Sequence, residues 1–383
     1  MKKIFNFDHG IDQPTELVYG PFSIIINESH CQNIKRLCRR ASTSFTYTDN
    51  FKPVVSYNPA SSGETVETAL IRLDDQNSEG SLLFPEIPWV TSYYDLVIIL
   101  SFLTGRRVYL EEHLDECVNQ RYLDGAVSKN FFRSQRICWE NIPKIKDLGV
   151  SHALANLTMA YNARDLLGMS AYANSALDTI TSSWINFHKM TKFNESKLIN
   201  TCLTQAATLL EQSLLTRLQI KFLHLLTKEK IPKNIIQDIT ARISIKNISS
   251  PSALYKLKKF LSAYDLYDEN ASEMEEKRVK LLNTLRNSVT HTGKIPEYSG
   301  YNFEQRVQIS LAVTLLVIQI SQYYLAAEVL KVNDARLEQH KENIKGFFST
   351  GKFNGHDVFN ETYEDYLSRL EDKWVNEGEM ISI

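Results

Sequence analysis

The chain has 383 residues, and its 43 Lys+Arg against 45 Asp+Glu give a formal net charge of −2. A chain of this length can supply two domains with sizeable cores. The near-neutral charge argues against a protein that coats nucleic acid nonspecifically, so any contact with a polyanion has to be a local patch.

Cysteine usage and apolar patterning indicate the compartment. The 5 cysteines are odd in number and lack the spacing of a disulfide framework, which favours a reducing environment. The longest apolar run, residues 311–320, is too short to span a bilayer. Asn6, Asp8 and His9 interrupt any signal segment that could follow the N-terminal lysines. We expect a cytoplasmic protein that does not enter a membrane.

Residues 1–145 are predicted to form a mixed α/β domain in which strands are prominent. Residues 92–104 are mostly apolar, begin with the capping-box pattern of Ser92 and Asp95, and are followed by Gly105, which predicts a buried helix. The strand candidates are rich in β-branched residues or alternate apolar and polar positions, and they cover residues 17–27, 44–48, 54–57, 65–73 and 108–110.

Four cations in this domain have the spacing of one helix face: Lys35, Arg36, Arg39 and Arg40. They could contact RNA phosphates. A solvated helix face is the competing interpretation. The same ambiguity applies to a second, weaker basic run at residues 256–259.

The signal for metal or cofactor binding is poor. A zinc site would need His30, Cys31 and Cys38 to meet His113 and Cys117, and none of these forms a CxxC pair. The chain has no Gly-rich phosphate loop, no GxSxG and no HExxH. We therefore predict no cofactor and no metal.

Proline, glycine and charge replace the apolar pattern at residues 142–151, and the chain then turns helical. Residues 146–330 are predicted to form an antiparallel helical bundle. Residues 331–383 form a charged extension with interleaved aromatic residues, which docks on the bundle or on another subunit. The predicted fold class is α+β, and the helices are predicted at residues 154–167, 171–187, 198–226, 234–243, 252–263 and 303–330.

One further predicted helix carries the residues with the clearest chemistry. It is predicted to begin at a capping box of Ser272 with Glu275 and to end at Gly293. Its last turns contain Arg286, Asn287 and His291. A fixed cation followed by an amide and a histidine is a combination that can bind a phosphate and move a proton.

This arrangement, Arg-x4-His with Asn directly after the Arg near the end of a long helix, resembles the motif of the HEPN superfamily. Many members are metal-independent ribonucleases of toxin–antitoxin and phage-defence systems. The resemblance covers roughly residues 151–330. The apolar helix, Arg106-Arg107 and strand 108–110 also resemble the N-terminal domains of ApeA-like HEPN proteins.

The resemblance implies a HEPN-like bundle with a toxin or antiphage (abortive infection) endoribonuclease activity, and an N-terminal domain that senses or regulates. RNA, for example tRNA, would be cut when a phage-derived or cellular protein acts as trigger. The family also tends to place an acidic residue on a helix that faces the motif. Glu211 is the best-placed candidate here, with a solvated helix glutamate as the competing interpretation.

The residues in the motif fit attack of the RNA 2′-hydroxyl on the adjacent phosphate, which gives a cyclic phosphate and a free 5′-hydroxyl. His291 would move the protons, Arg286 would match the growing phosphate charge, and Asn287 would orient either partner. In the plainest competing interpretation, Arg286 caps helix carbonyls and His291 is a favourable cation at a helix C-terminus. Two further hypotheses are a non-catalytic RNA- or nucleotide-binding module and a structural protein-interaction protein.

Helix geometry adds a condition to the ribonuclease hypothesis. Five residues rotate a side chain by roughly 140° about a helix axis. Arg286 and His291 therefore converge on one ligand only if the helix ends at the histidine or if a second subunit completes the site. We predict a homodimer formed through the helical domain.

Overall fold

The fold is described from a computed structural model. Of residues 34–39, 42–47 and 53–58 only the backbone is described. The complete set of described residues is 1–7, 9–39, 42–47, 53–58, 67–74, 80–105, 107–112, 139–161, 163, 165–188, 224, 252–268, 272–332 and 336–361.

The chain divides into two compact units. The first contains Met1–Ile180 together with Leu266–Ile383, and the second contains Thr181–Asp265. The first unit combines an N-terminal β-sheet with helices, so the α+β class is confirmed. The boundaries that the sequence places at residues 145/146 and 330/331 stay predictions.

A five-stranded antiparallel sheet forms the N-terminal part of the first unit. The strands of the sheet are β1 (Lys2–Phe5), β2 (Thr15–Tyr19), β3 (Phe22–Ile26), β6 (Glu67–Leu73) and β7 (Tyr109–Leu110). Their spatial order is β2-β3-β6-β1-β7. The predicted strand segment at residues 17–27, which Gly20-Pro21 interrupts in the sequence, is a hairpin, since Gly20 with φ +55° turns the chain between two strands.

Two helices and a separate strand pair complete this region. Helices α1 (Glu28–Arg39) and α2 (Ser92–Thr104) contribute Cys31, Leu96 and Leu100 to the core beneath the sheet. The predicted strands near residues 44–48 and 54–57 are confirmed as the antiparallel pair β4 (Ser42–Tyr47) and β5 (Pro53–Asn58).

The predicted capping box of α2 is wrong. The helix lies where the sequence predicts it, but its N-cap is Thr91, whose side chain makes no capping hydrogen bond. The Asp95 carboxylate instead accepts hydrogen bonds from Ser81 Oγ at 2.6 Å and from the backbone amide of Leu82 at 2.5 Å. Because the Asp95 carboxylate accepts hydrogen bonds from this preceding turn, it connects the turn to α2.

Short helices lead from the sheet into the helical part of the first unit. A 3₁₀ turn at Trp139–Asn141 precedes α3 (Ile142–Asp147), α4 (Ser151–Tyr161) and α5 (Leu166–Phe187). The break between the last two comes earlier than the sequence predicts. Asp165 occupies the N-cap position of α5 and accepts a hydrogen bond from the Gly168 amide at 2.8 Å, so this glycine lies inside the helix rather than ending one.

In the second unit, the end of α5 and α6 (Ala253–Ala263) form an aromatic cluster. Trp184 and Phe260 rings are 5.9 Å apart, and Ser252 caps α6 by accepting from the Tyr255 amide. The helix predicted at residues 252–263 is thereby confirmed. The helices predicted at residues 198–226 and 234–243 lie outside the described residues, apart from His224.

Helices α7 (Glu273–Thr292) and α8 (Phe303–Tyr323) pack against each other in the first unit and are joined by residues 293–302. The capping box of Ser272 and Glu275 is confirmed, and Asn302 with Gln305 forms a second one at the start of α8. Residues 293–302 lead directly from the end of α7 to the beginning of α8.

Helix α8 continues as a π-helical segment, Tyr324–Val329. Among the described residues, Phe303–Val329 is the one helix long and apolar enough to cross a membrane by length and composition. This helix packs inside the protein, where 89% of its most apolar stretch is buried. Such burial is typical of the core helix of a soluble protein.

The described part of the C-terminal extension docks on the helices of its own chain. Helix α9 (Arg336–Thr350) packs on α7 and α8 and is followed by the two short strands β8 (Lys352–Phe353) and β9 (His356–Asp357). Arg278 of α7 donates from Nη1 to the carbonyls of Phe348 and Ser349, both at 2.7 Å. These bonds satisfy carbonyls at the end of α9 and tie it to the helix that carries Arg286.

Candidate active site

Helix α7 ends where the sequence predicts. Gly293 adopts the left-handed conformation, with φ +62°, and donates its amide to the Val289 carbonyl at 3.2 Å. Ser288 Oγ donates to the Lys294 carbonyl at 2.8 Å, and Thr292 Oγ1 donates to the Ser288 carbonyl at 2.7 Å. These bonds fix the last turn and the residue that follows it.

Arg286 is half-buried beside the apolar stripe of α7 and is held from two directions. Its Nε donates to Asp178 Oδ2 of α5 at 2.5 Å, and its Nη1 donates to Asn287 Oδ1 at 2.9 Å. The Arg286 side chain is 28% exposed and that of Asp178 is 40% exposed. A guanidinium has five N–H donors, so these two bonds orient the group and leave further donors for a ligand.

The contact with Asp178 is one that sequence reasoning missed. The partner comes from α5, 108 positions earlier in the chain. Asp178 is nevertheless the one charged residue in the 22-residue sequence of α5. A single carboxylate in a long, otherwise uncharged helix is the signal that could have drawn attention to it.

His291 is exposed and lies in the last turn of α7. It is four residues beyond Asn287, so the two side chains are neighbours on one face of the helix. The C-terminal end of the helix dipole favours a cation at this position. An exposed imidazole at this place is open to a substrate.

Helix α7 does not end before His291, so the end of the helix does not by itself bring Arg286 and His291 together. Because α7 continues to Thr292, Arg286 and His291 keep the helical rotation of roughly 140° and an axial separation of about 7.5 Å. Because Asn287 shares a helix face with His291, the hydrogen bond from Arg286 to Asn287 turns the guanidinium toward that face. The second route, completion by another subunit, stays a prediction.

The side chains of the other predicted site residues are not described. Glu211 lies outside the described residues, and Asp178 supplies a carboxylate to Arg286. The cations Lys35, Arg36 and Arg39 lie on the backbone of α1, which confirms their helical spacing, but their side chains are not described. Arg40 lies outside the described residues.

Of the residues weighed as zinc ligands, His30 is engaged within the sheet domain. Its Nδ1 accepts from the Asn27 amide at 3.1 Å, and its Nε2 is 3.1 Å from Glu67 Oε1. His113 and Cys117 lie outside the described residues. Within the part of the chain that the structure describes, no three His, Cys, Asp or Glu side chains are grouped so that they could hold a metal ion.

Comparison of the chain with protein-family models, with characterised proteins and with solved structures finds no match.

Proposed function

We propose that this protein is a metal-independent endoribonuclease of HEPN type whose site contains Arg286, Asn287 and His291. The observation that carries the proposal is the orientation of Arg286 at the surface by Asp178 and Asn287, on the helix whose last turn presents the exposed His291. A cation fixed in this way can match the geometry of a phosphate.

The proposed reaction is transfer of a phosphodiester within the RNA. A base removes the proton of the 2′-hydroxyl, the 2′-oxygen forms a bond to phosphorus, and the bond from phosphorus to the 5′-oxygen breaks. An acid gives a proton to the leaving 5′-oxygen, so the products are a 2′,3′-cyclic phosphate and a 5′-hydroxyl. Histidine titrates close enough to neutrality for either proton transfer, and arginine stabilises the additional charge on the phosphate.

A two-fold homodimer supplies what one chain lacks. The reaction needs the arginine and the histidine at the same phosphate. Pairing two copies of the end of α7 in one cleft would place His291 of one chain near Arg286 of the other, which the helical rotation separates within a chain.

The experiment that tests the proposal compares RNA cleavage by the purified wild type with that of Arg286→Ala and His291→Ala. Both changes should abolish cleavage, because each removes one of the required groups. Lys280→Ala is the matched control, since Lys280 is an exposed cation of the same helix and pairs with Glu276 one turn away. Cleavage should persist in EDTA and leave cyclic phosphate ends. Inhibition by the chelator, or equal cleavage by all variants, would contradict the proposal.

A non-catalytic module that binds RNA or a nucleotide is the second candidate. It is favoured by the engagement of Arg286 with Asp178 and Asn287 rather than with His291. In that case Arg286→Ala loses RNA binding, His291→Ala keeps it, and no cleavage product is seen with any variant.

The wider biological proposal rests on the family resemblance. In it, residues 1–145 sense a phage-derived or cellular protein, the nuclease acts on cellular RNA such as tRNA, and the protein works in the cytoplasm as an abortive-infection toxin. Growth and RNA integrity of a host that expresses the wild type or His291→Ala, with and without phage infection, test this wider proposal.

A further inference from the structure

The first turn of α8 presents an aromatic ring and a cation side by side. Phe303 is 67% exposed, an unusual exposure for so large an apolar side chain. The guanidinium carbon of Arg306 lies 5.7 Å from the centre of its ring. The two residues are three positions apart on the helix, so they lie on one face.

The guanidinium of Arg306 has a hydrogen-bond donor without an acceptor in the described part of the chain. Its Nε is buried and has no hydrogen-bond partner among the described residues. A buried donor that lacks an acceptor is unfavourable, and no acceptor among the described residues competes with a ligand for this donor. Glu304 lies nearby in the same turn and is exposed, yet the described contacts of Arg306 are with the Phe303 ring and, through its backbone amide, with Asn302.

Hydrogen bonds also fix the backbone in the first turn of α8. The amide of Gln305 donates to Asn302 Oδ1 at 2.9 Å, and the amide of Asn302 donates to Gln305 Oε1 at 3.1 Å. This capping box fixes the backbone that carries both side chains. In the chain, residues 293–302 alone separate this turn from the last turn of α7, which carries His291.

We infer that Phe303 and Arg306 form a platform that binds one nucleotide of single-stranded RNA beside the candidate active site. The Phe303 ring stacks on a base, and the Arg306 guanidinium binds a phosphate of the same strand. Stacking on an exposed aromatic residue together with a cation for the backbone is the combination that single-stranded nucleic acid uses without sequence preference. The inference rests on the proposed function, for which it supplies a means of positioning the substrate.

The chain offers a matched control pair in the preceding helix. Met274 and Lys277 also lie three positions apart near the start of a helix that begins with a capping box. Met274 is 54% exposed, and Lys277 is an exposed cation, but Lys277 pairs with Glu273 at 3.0 Å and no aromatic ring is present. Changes at this pair alter apolar exposure and charge in the same way without touching the platform.

The test uses the full chain and a single-stranded 2′-O-methyl oligoribonucleotide that carries one 2-aminopurine. This probe cannot be cleaved by 2′-hydroxyl attack, so binding is measured apart from catalysis. Phe303→Ala should weaken binding by about tenfold or more and restore the 2-aminopurine fluorescence that stacking quenches. Phe303→Tyr should bind like the wild type, because it keeps a stacking ring. Met274→Ala should also bind like the wild type.

Arg306→Ala should weaken binding and lower the slope of log affinity against log salt by about 1, as expected for one lost phosphate contact. Lys277→Ala should leave the slope unchanged. The Arg306 change leaves no partner unsatisfied in the described part of the chain, because its Nε has none there.

The inference is overturned if the wild type does not bind the probe, if Phe303→Ala binds as tightly as the wild type, or if the changes alter only self-association. Failure of the proposed function is a separate result. Binding that follows the predicted pattern while unmodified RNA stays intact supports the platform and contradicts the ribonuclease. Cleavage of unmodified RNA with an unchanged KM in Phe303→Ala supports the ribonuclease and contradicts the platform.

Discussion

Asp178 orients Arg286 more than it stabilises the protein. Both side chains are partly exposed, and such ion pairs contribute about 0–1 kcal/mol to stability. Asp178→Asn should therefore change the free energy of unfolding by less than about 1 kcal/mol. It should reduce RNA cleavage by about tenfold to a hundredfold, because the guanidinium loses its charged partner and keeps only a neutral amide oxygen to fix its Nε.

Denaturant unfolding and initial cleavage rates measure these two effects. Glu276→Gln serves as the control, since Glu276 is a carboxylate of α7 with an exposed partner in Lys280. A large loss of stability in Asp178→Asn, with the specific activity of the folded fraction unchanged, would show that the ion pair is structural only.

Asp95 should make stability depend on pH. Burial raises the pKa of its carboxyl from 3.8 to about 6, although the Ser81 hydroxyl and the amides of Leu82 and Leu83 act in the opposite direction. The folded state thus holds the proton more tightly than the unfolded state. The stability contributed by the protonated form is present below pH 4 and is lost as the pH rises through 6, by about 3 kcal/mol in total.

The variant Asp95→Asn tests this dependence, because an amide can still accept from Leu82 and donate to Ser81 Oγ. Relative to the wild type, its free energy of unfolding should rise between pH 4 and pH 7. Glu86→Gln, which changes an exposed carboxylate in the same loop, should give a parallel curve to the wild type. A constant difference between Asp95→Asn and the wild type over this range would contradict the pKa assignment.

Gly293 determines where α7 ends and hence where His291 stands. At φ +62° a Cβ would meet no atom within 4 Å, but the backbone conformation itself is unfavourable for a residue with a side chain. Gly293→Ala should lower the free energy of unfolding by about 1 kcal/mol, and Gly293→Asn by less. Chemical denaturation measures both.

Gly80→Ala is the matched control, because a Cβ there also has open space and the backbone φ is ordinary. If Gly293→Ala were as stable as Gly80→Ala, the left-handed end of the helix would not be needed, and the place of His291 would depend on other contacts.

Sequence patterns predicted the bounds of helices correctly where contacts between near neighbours in the chain determine those bounds. Ser272 with Glu275 and Gly293 lie at the two ends of α7, and both determine its bounds through bonds to near neighbours. Long-range contacts could not be predicted in this way. Asp95 has the spacing of a capping box, but a turn more than ten residues earlier takes its carboxylate.

The candidate site shows the same limit. The three motif residues could be named from their spacing, and Asn287 does contact Arg286. The carboxylate that orients Arg286 comes from α5, so its identity depends on how helices pack and not on the motif. Strand β1 was likewise not predicted, because four residues that pair with β6, 62 to 69 positions later, have little local pattern of their own.

The first of the two compact units contains the sheet, the helix of the motif and α9. Asn141 Nδ2 donates to the Leu330 carbonyl at 3.0 Å, and Arg278 ties α9 to α7. If residues 1–145 sense a ligand, as proposed, contacts of this kind connect that region to the motif helix. They do not bring Arg286 and His291 to one phosphate, which the proposal assigns to pairing with another copy of the chain.

Co-expression of Arg286→Ala with His291→Ala tests most directly whether two chains share one site. If Arg286 of one chain acts with His291 of its partner, each mixed dimer regains one intact site, and random assortment restores about one quarter of wild-type cleavage. The double variant co-expressed with the wild type is the control, and it should also leave about one quarter. No recovery in the mixture of single variants, together with about one half in the control, would contradict the shared site and place both groups within one chain.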